Sequence, residues 1–501
     1  MPSAWIRSSS SGIRLAPSRR EYSLCVWRWT NAIRLGEDIG ARAHCQNRAA
    51  PDILRPMRGL ASLFALGLMM ALFHRVTAGA ALEARATLAL GFLLLAAFVS
   101  SDLARRARLP RITGYLLVGF AVGPAWLGLV RRDEVDALRF IGDVALGVIA
   151  LAAGSELALQ RVRDQRVSLA RVVAGGIAFP FVVVTSVLVS VSPWFPLTVH
   201  QPLGDAVVVA LALGALSAVS SPAVAMGVLG ELEARGPFGQ TLLAVTVLKD
   251  VAAAILFTLL LAAGTAFASA GALRATVAGS ALLTLVASLA VGALLGYGLS
   301  GYLRLIQRHV ASFVVAVAVV AAEVARLVHL ETIVVALAAG LYLATFAPVE
   351  GERVRHELKR GWQPVYILFF VLAGAGLRLG ALAELWPWVL LLVGLRATSM
   401  RYGLLWAGRH PSVTSALARE GWLGLVPQAG SALGLVQVAR RAFPEWGVSL
   451  ETLAVAIIGV HELVGPICFR RALRRAGEIT EDIADAEGSP GGAVVALGGG
   501  L

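Results

Sequence analysis

Apolar residues run through this chain in stretches of about 20, the length that crosses a bilayer core, separated by short polar turns. Runs such as "ALGFLLLAAFV" and "AVAVVAA" lack the alternation of a lipid-facing barrel strand, so the pattern predicts helices. Thirteen spans follow, near residues 84-101, 111-129, 138-157, 168-191, 203-229, 238-264, 274-303, 311-328, 332-347, 364-379, 384-408, 418-438 and 450-470. The expected fold is an all-α polytopic membrane protein.

Three other segments flank this region. Residues 1–56 are rich in Arg and Ser and carry no spanning run, and are read as a disordered basic arm or a mis-assigned start. Residues 57–83, "MRGLASLFALGLMMALFHRVTAGAALE", have the layout of a secretory signal peptide: one Arg, an apolar core, then small residues. An extra span, a fourteenth, fits the same letters. Residues 472–501 form a short tail.

Composition agrees with lipid as the solvent: 57% of the 501 residues are hydrophobic and 15% charged, with a mean hydropathy of +0.76. The net charge of +13 does not mark a nucleic-acid surface, because the cations sit between apolar runs rather than on one face. Clusters such as Arg105, Arg106 and Arg108, or Arg353, Arg355 and Lys359, follow odd-numbered spans. With cations held inside, the first span enters from outside and the tail ends in the cytoplasm of a cell whose inner (plasma) membrane holds the chain. Arg440 and Arg441, after the twelfth span, are the exception. Cys25, Cys45 and Cys468 have no metal-ligand spacing.

A weak internal repeat appears at an offset of about 220 residues. "GYLLVGFAV" pairs with "VALAAGLYL", setting Gly119 opposite Gly340, and "VIALAAGSELAL" pairs with "LFFVLAGAGLRL", setting Gly154 opposite Gly374. Spans one to six would then recur as eight to thirteen. An odd number of crossings between the copies makes them inverted, the architecture of a transporter.

The fifth and twelfth spans, which correspond in that repeat, are interrupted by "SAVSSPAVA" and "LVPQAGSALG". Pro222 and Pro427 cannot complete a helical ladder, and Ser220, Ser221, Gln428 and Ser431 supply polar neighbours. Two broken helices at membrane depth point to a midplane ion site, with two ordinary proline kinks as the rival reading. The sixth span places Lys249 and Asp250 at its centre. A carboxylate there is costly unless paired or hydrated, which makes it a proton or cation site or one half of a self-neutralising pair. Adjacent helical residues point ~100° apart, so each should find its partner on another helix. Arg396 and Glu462 are the further central charges and could close a four-charge network with them. His461 has no second His or Cys at helical spacing and reads as a local hydrogen-bonding group.

These residues resemble the sodium/hydrogen exchanger superfamily, in its monovalent cation:proton antiporter-2 branch, over about residues 84–471. "LPRITGYLLVGFAVGP", "SSPAV" followed by "GELEARGPFGQTLLAVTVLKD", and "RATSMRYGLLWAGR" followed by "GLVPQAGSALGLV" carry the likeness. The resemblance implies a core of spans four to six and eleven to thirteen moving against a dimer-forming scaffold, and therefore a homodimer. It implies that Asp250 takes either H⁺ or Na⁺/K⁺, with Arg396 in the place of the family's basic residue. Lys249 departs from the Asp, Asn or Gln that many members carry there. The family's frequent nucleotide-binding regulatory domain has no counterpart in the tail sequence, which has no GxGxxG after a strand.

The expected function is secondary antiport of H⁺ against a monovalent cation, with no cofactor and no enzymatic reaction. Ser220, Ser221 and unwound carbonyls would assist Asp250. A sodium-coupled symporter of organic anions, or a non-transporting membrane sensor, are the alternatives. Either needs a feature this sequence is short of, a polar cavity or an output domain.

Overall fold

The computed structural model of the chain describes residues 54–479 apart from 78, 108, 157–162, 235, 268–271, 306–309, 329, 331, 378–381 and 429. Of the arm read at residues 1–56, residues 1–53 with Cys25 and Cys45 lie outside it, as does the end of the tail from residue 480. Every regular element among the described residues is helical, as backbone groups without water to bond must satisfy one another within the segment.

In chain order the helices are α1 (Leu54–Val76), α2 (Leu82–Arg106), α3 (Arg111–Val122), α4 (Arg132–Ala137), α5 (Arg139–Glu156), α6 (Arg166–Ser190), α7 (Leu203–Ala218), α8 (Pro222–Glu231) and α9 (Pro237–Phe267). They continue as α10 (Ala272–Leu305), α11 (Val310–Leu327), α12 (Thr332–Phe346), α13 (Pro348–Gly376), α14 (Leu382–Ala407), α15 (Ser415–Gly424), α16 (Gly430–Ala442) and α17 (Pro444–Arg475). Seven of the described helical segments are long and apolar enough to cross a membrane, and four shorter apolar ones accompany them. Each expected span overlaps one helix or, at the fifth and twelfth, two. Large apolar side chains such as Phe98, Leu294, Leu390 and Tyr402 stand exposed on the outer surface, where lipid rather than water is their natural contact.

The described part of the chain up to residue 61 begins α1, and the packing below concerns Ser62 onward. This helix covers the segment that reads as a signal peptide or an added span. Met70 is buried, Leu63 and Leu66 pack against the main core, and His74 Nε2 lies 2.9 Å from Glu134 Oε1. Arg85 joins the same group through Asp133 at 2.6 Å.

The internal repeat is visible in how helices touch. A Cβ on Gly119 of α3 would overlap the Val371 carbonyl of α13, and one on Gly374 of α13 would overlap the Leu116 carbonyl of α3. The same reciprocal contact joins α5 to α12: Gly154 faces the Leu337 carbonyl and Gly340 faces that of Leu151. Under the repeat, α3 corresponds to α12 and α5 to α13, so each pair is the image of the other. On α6 and α14, also corresponding helices, Gly175 and Gly403 each face the other's carbonyl. Glycine is needed because backbones this close leave no room for a side chain.

Two carboxylates fasten helix starts. Glu231, at the end of α8, accepts the amides of Arg111 and Ile112 at the start of α3. Glu478, just past α17, accepts those of Phe238 at 2.6 Å and Gly239 at 2.9 Å, fixing the beginning of the helix that carries Lys249 and Asp250.

The glycine contacts give a direct test. Gly154→Ala and Gly403→Ala should each lower stability by about 1–3 kcal/mol through forced separation of their helices. Gly298→Ala, where a Cβ would meet nothing within 4 Å, should be neutral. Thermal unfolding of the detergent-purified variants separates the two outcomes.

Candidate functional site

Both interrupted spans are broken, and the breaks meet. Helix α7 ends at Ala218, Val219 and Ser221 are extended, and α8 starts at Pro222 with Ser221 Oγ capping the Val224 amide at 3.3 Å. Opposite, α15 ends at Gly424 and α16 starts at Gly430. Proline alone does not explain this, since Pro180, Pro364, Pro387 and Pro466 all sit inside continuous helices. At residue 222 the proline's predecessor, Ser221, is extended, and at both breaks polar side chains and the other break supply partners. The Ser221 amide donates to the Pro427 carbonyl at 2.8 Å, which ties the two breaks into a crossing.

The carbonyls released at the crossing are taken up mainly by one side chain. Arg396, buried on α14, donates from Nε to Ser217 O at 2.8 Å and from Nη1 to Val426 O at 2.6 Å. Its Nη2 reaches Val219 O at 2.6 Å and Leu425 O at 3.1 Å. Gln428 Nε2 adds a bond to Leu216 O at 2.8 Å. The planar guanidinium fork spans both breaks at once, as a point-like ammonium could not.

From α9, Lys249 enters the same centre. Its side chain is fully buried and Nζ donates to Ser220 Oγ at 2.8 Å, while that hydroxyl donates to Leu425 O at 2.8 Å. As the ~100° separation requires, its partner lies on another segment. Asp250, one position on, is half-buried rather than sealed. Gly176 of α6 lies under the lysine stem, where a Cβ would come within 3.2 Å of Cε.

Glu462 and His461 lie on α17 one turn before Gly465, which packs directly on Pro427. Both are buried. Among the described residues no hydrogen bond joins Glu462 to Arg396, whose donors all go to carbonyls. The four-charge network allowed by the sequence is therefore not how the guanidinium is held: the crossing's own dipoles do that work. Both His461 ring nitrogens and Gln428 Oε1 are buried without a hydrogen-bond partner among the described residues.

Beside Arg396 a cavity of about 30 Å³ opens between Ser217, Gln428, Leu216, Leu392, Ala454 and Ile458. That is space for about one or two waters. The described residues hold no cluster of three His, Cys, Asp or Glu side chains able to ligate a metal.

A sequence profile described as "Sodium/hydrogen exchanger, transmembrane" matches residues 60–469. The chain belongs to this exchanger family. It is also similar to curated potassium-efflux proteins. The glutathione-regulated potassium-efflux system protein KefC of Salmonella newport (strain SL254) is 29% identical over 368 residues, 71% of this chain and 56% of the relative. KefC of Salmonella heidelberg (strain SL476) matches to the same extent. The chain thus spans a little over half the length of these curated relatives. The sodium proton antiporter MjNhaP1 from Methanocaldococcus jannaschii at pH 8 shares the fold at a TM-score of 0.58 and 15% identity, covering 81% of this chain and 99% of the other. A second structure of that antiporter gives 0.59 at 16% identity.

Sequence reasoning singled out Lys249, Asp250, Ser220, Ser221, Pro222, Arg396, Glu462, Pro427 and Gln428. The contacts described join Lys249, Ser220, Ser221, Arg396, Pro427 and Gln428 at the crossing. Pro222 starts α8 there, Glu462 lies on α17 and Asp250 follows Lys249 on α9. Sequence reasoning missed Gly176, whose signal was the "GG" pair at residues 175–176, and the carbonyls that Arg396 binds, which carry no side-chain signal at all.

Arg396→Met should strand those carbonyls and cost at least about 2 kcal/mol, while Arg396→Lys should recover part of the loss. Thermal unfolding of both variants beside wild type measures the difference.

Proposed function

We propose that this chain is a secondary antiporter that exchanges H⁺ for a monovalent cation, Na⁺ or K⁺, with Asp250 as the shared proton and cation site. The observation that carries the reading is the crossing of two broken helices beside the centre of α9. Such a crossing concentrates helix-end dipoles at membrane depth, where an ion stripped of water needs them. Asp250 follows Lys249 on α9 and is half-buried, which supports its being the group that ions and protons reach. A carboxylate that binds either H⁺ or a cation, never both, couples the two gradients by competition.

Ser220 and Ser221 are hydroxyls of the crossing, and Ser220 Oγ bonds the neighbour of Asp250, Lys249. Ser221 Oγ already caps α8, so Ser220 is the better placed of the two to serve an ion. The relative named for potassium and the structural neighbour named for sodium frame the two candidate ions. In our reading the lipid-exposed helices embed the chain in the plasma membrane as a homodimer. The small cavity at Arg396 fits water or a bare ion and argues against an organic anion in this conformation.

The test is pH-gradient dequenching in proteoliposomes on addition of Na⁺, K⁺ or Li⁺. Wild type should dissipate the gradient with at least one cation, and Asp250→Asn should abolish the response. Exchange by the Asn variant at the wild-type rate would remove Asp250 from the mechanism.

A further inference from the structure

Most oxygens that the crossing could offer a cation already have donors. Arg396 holds the carbonyls of Ser217, Val219, Leu425 and Val426, Gln428 holds that of Leu216, and the Ser221 amide holds that of Pro427. These donors are built into the crossing, and removing any of them exposes a buried polar group. The donor on Ser220 is different in kind. It is the ammonium of Lys249, at the end of a flexible four-carbon stem that can turn away without any helix unwinding. Gly176 makes room for that stem, since a Cβ there would come within 3.2 Å of Cε.

An ammonium and a dehydrated monovalent cation carry the same charge and seek the same acceptors. We propose that Lys249 is a tethered competitor for the transported cation: its ammonium rests on Ser220 Oγ until an ion bound at Asp250 takes that oxygen in its place. The proposal rests on the exchange reading above and adds to it what sets the ion's affinity. A group held by a short flexible tether faces its site at an effective concentration on the order of millimolar or more, so a free ion must exceed a comparable level to displace it. Lys249 thus makes exchange respond to abundant cation and stay slow when cation is scarce.

The competition can be read without a pH gradient, from the cation concentration that half-saturates thermal stabilisation of the purified full chain, with choline chloride holding ionic strength constant. Titrations use NaCl and KCl separately. Lys249→Gln and Lys249→Met should both lower the half-saturating concentration several-fold. In Lys249→Ala, added n-propylammonium should raise it again towards the wild-type value, and tetramethylammonium, which has no N–H to give Ser220, should not. Unchanged or raised half-saturation in both the Gln and Met variants would overturn the proposal. So would failure of all three neutral variants to fold, which would assign Lys249 to the framework. If wild type exchanges in an Asp250-dependent way while the Gln and Met variants bind as wild type does, the competitor role alone falls. A wild-type chain that neither exchanges nor binds a cation overturns both readings.

Discussion

A helix broken at membrane depth releases carbonyls that bulk water does not reach, and this molecule meets that constraint mainly with one guanidinium. Arg396 binds four carbonyls drawn from both breaks, at 2.6 to 3.1 Å. Leaving such groups unpaired costs about 1–3 kcal/mol each, so neither break is tolerable without it. The arrangement also accounts for a buried cation with no carboxylate bonded to it. Ser217, Val219, Leu425 and Val426 lie at the C-terminal ends of α7 and α15, the negative poles of two short helices, and those poles compensate the charge. Among the described residues the hydrogen bonds of the guanidinium go to carbonyls.

The helices that hold this crossing in place rely on close approach rather than bulk. Lipid tails are as apolar as leucine, so burying leucine between two spans gains little, and backbone contact must supply the cohesion. Reciprocal glycine contacts do so at α3 with α13, at α5 with α12, and at α6 with α14. The first two are images of one another and the third joins corresponding helices. The Ser221 amide and the Pro427 carbonyl do the same for the breaks themselves. One symmetry organises both the framework and the site.

Hydropathy made the helices legible, because at membrane depth a long apolar run has few structural choices. The repeat was legible from two pairs of glycines, since the same close contacts demand them twice. Pro222 and Pro427 marked the breaks, yet four other prolines remain in continuous helices, so it was the polar residues beside these two that carried the information. What stayed hidden was which groups would pair. The sequence shows Arg396, Glu462, Lys249 and Asp250 as charges to be balanced against one another, and charge counting favours a closed network. The structure instead balances Arg396 against backbone dipoles, which leave no trace in side-chain identity. Gly176 was equally silent, because its role exists only where the Lys249 stem passes it.

Lys249 and Asp250 are neighbours in sequence but occupy different environments. Helical geometry turns one towards α6 and the crossing, where it is sealed, and leaves the other half-buried. A pair able to neutralise itself would gain most from facing the same way, yet the lysine reaches another segment, and through Ser220 it touches the same Leu425 carbonyl that Arg396 holds. One hydroxyl therefore links the guanidinium of the crossing to the ammonium on α9. Any ion that arrives at Asp250 and competes for Ser220 perturbs the bonding of the crossing itself. In the proposed competition, occupancy of the site and the two broken helices are coupled through that single oxygen.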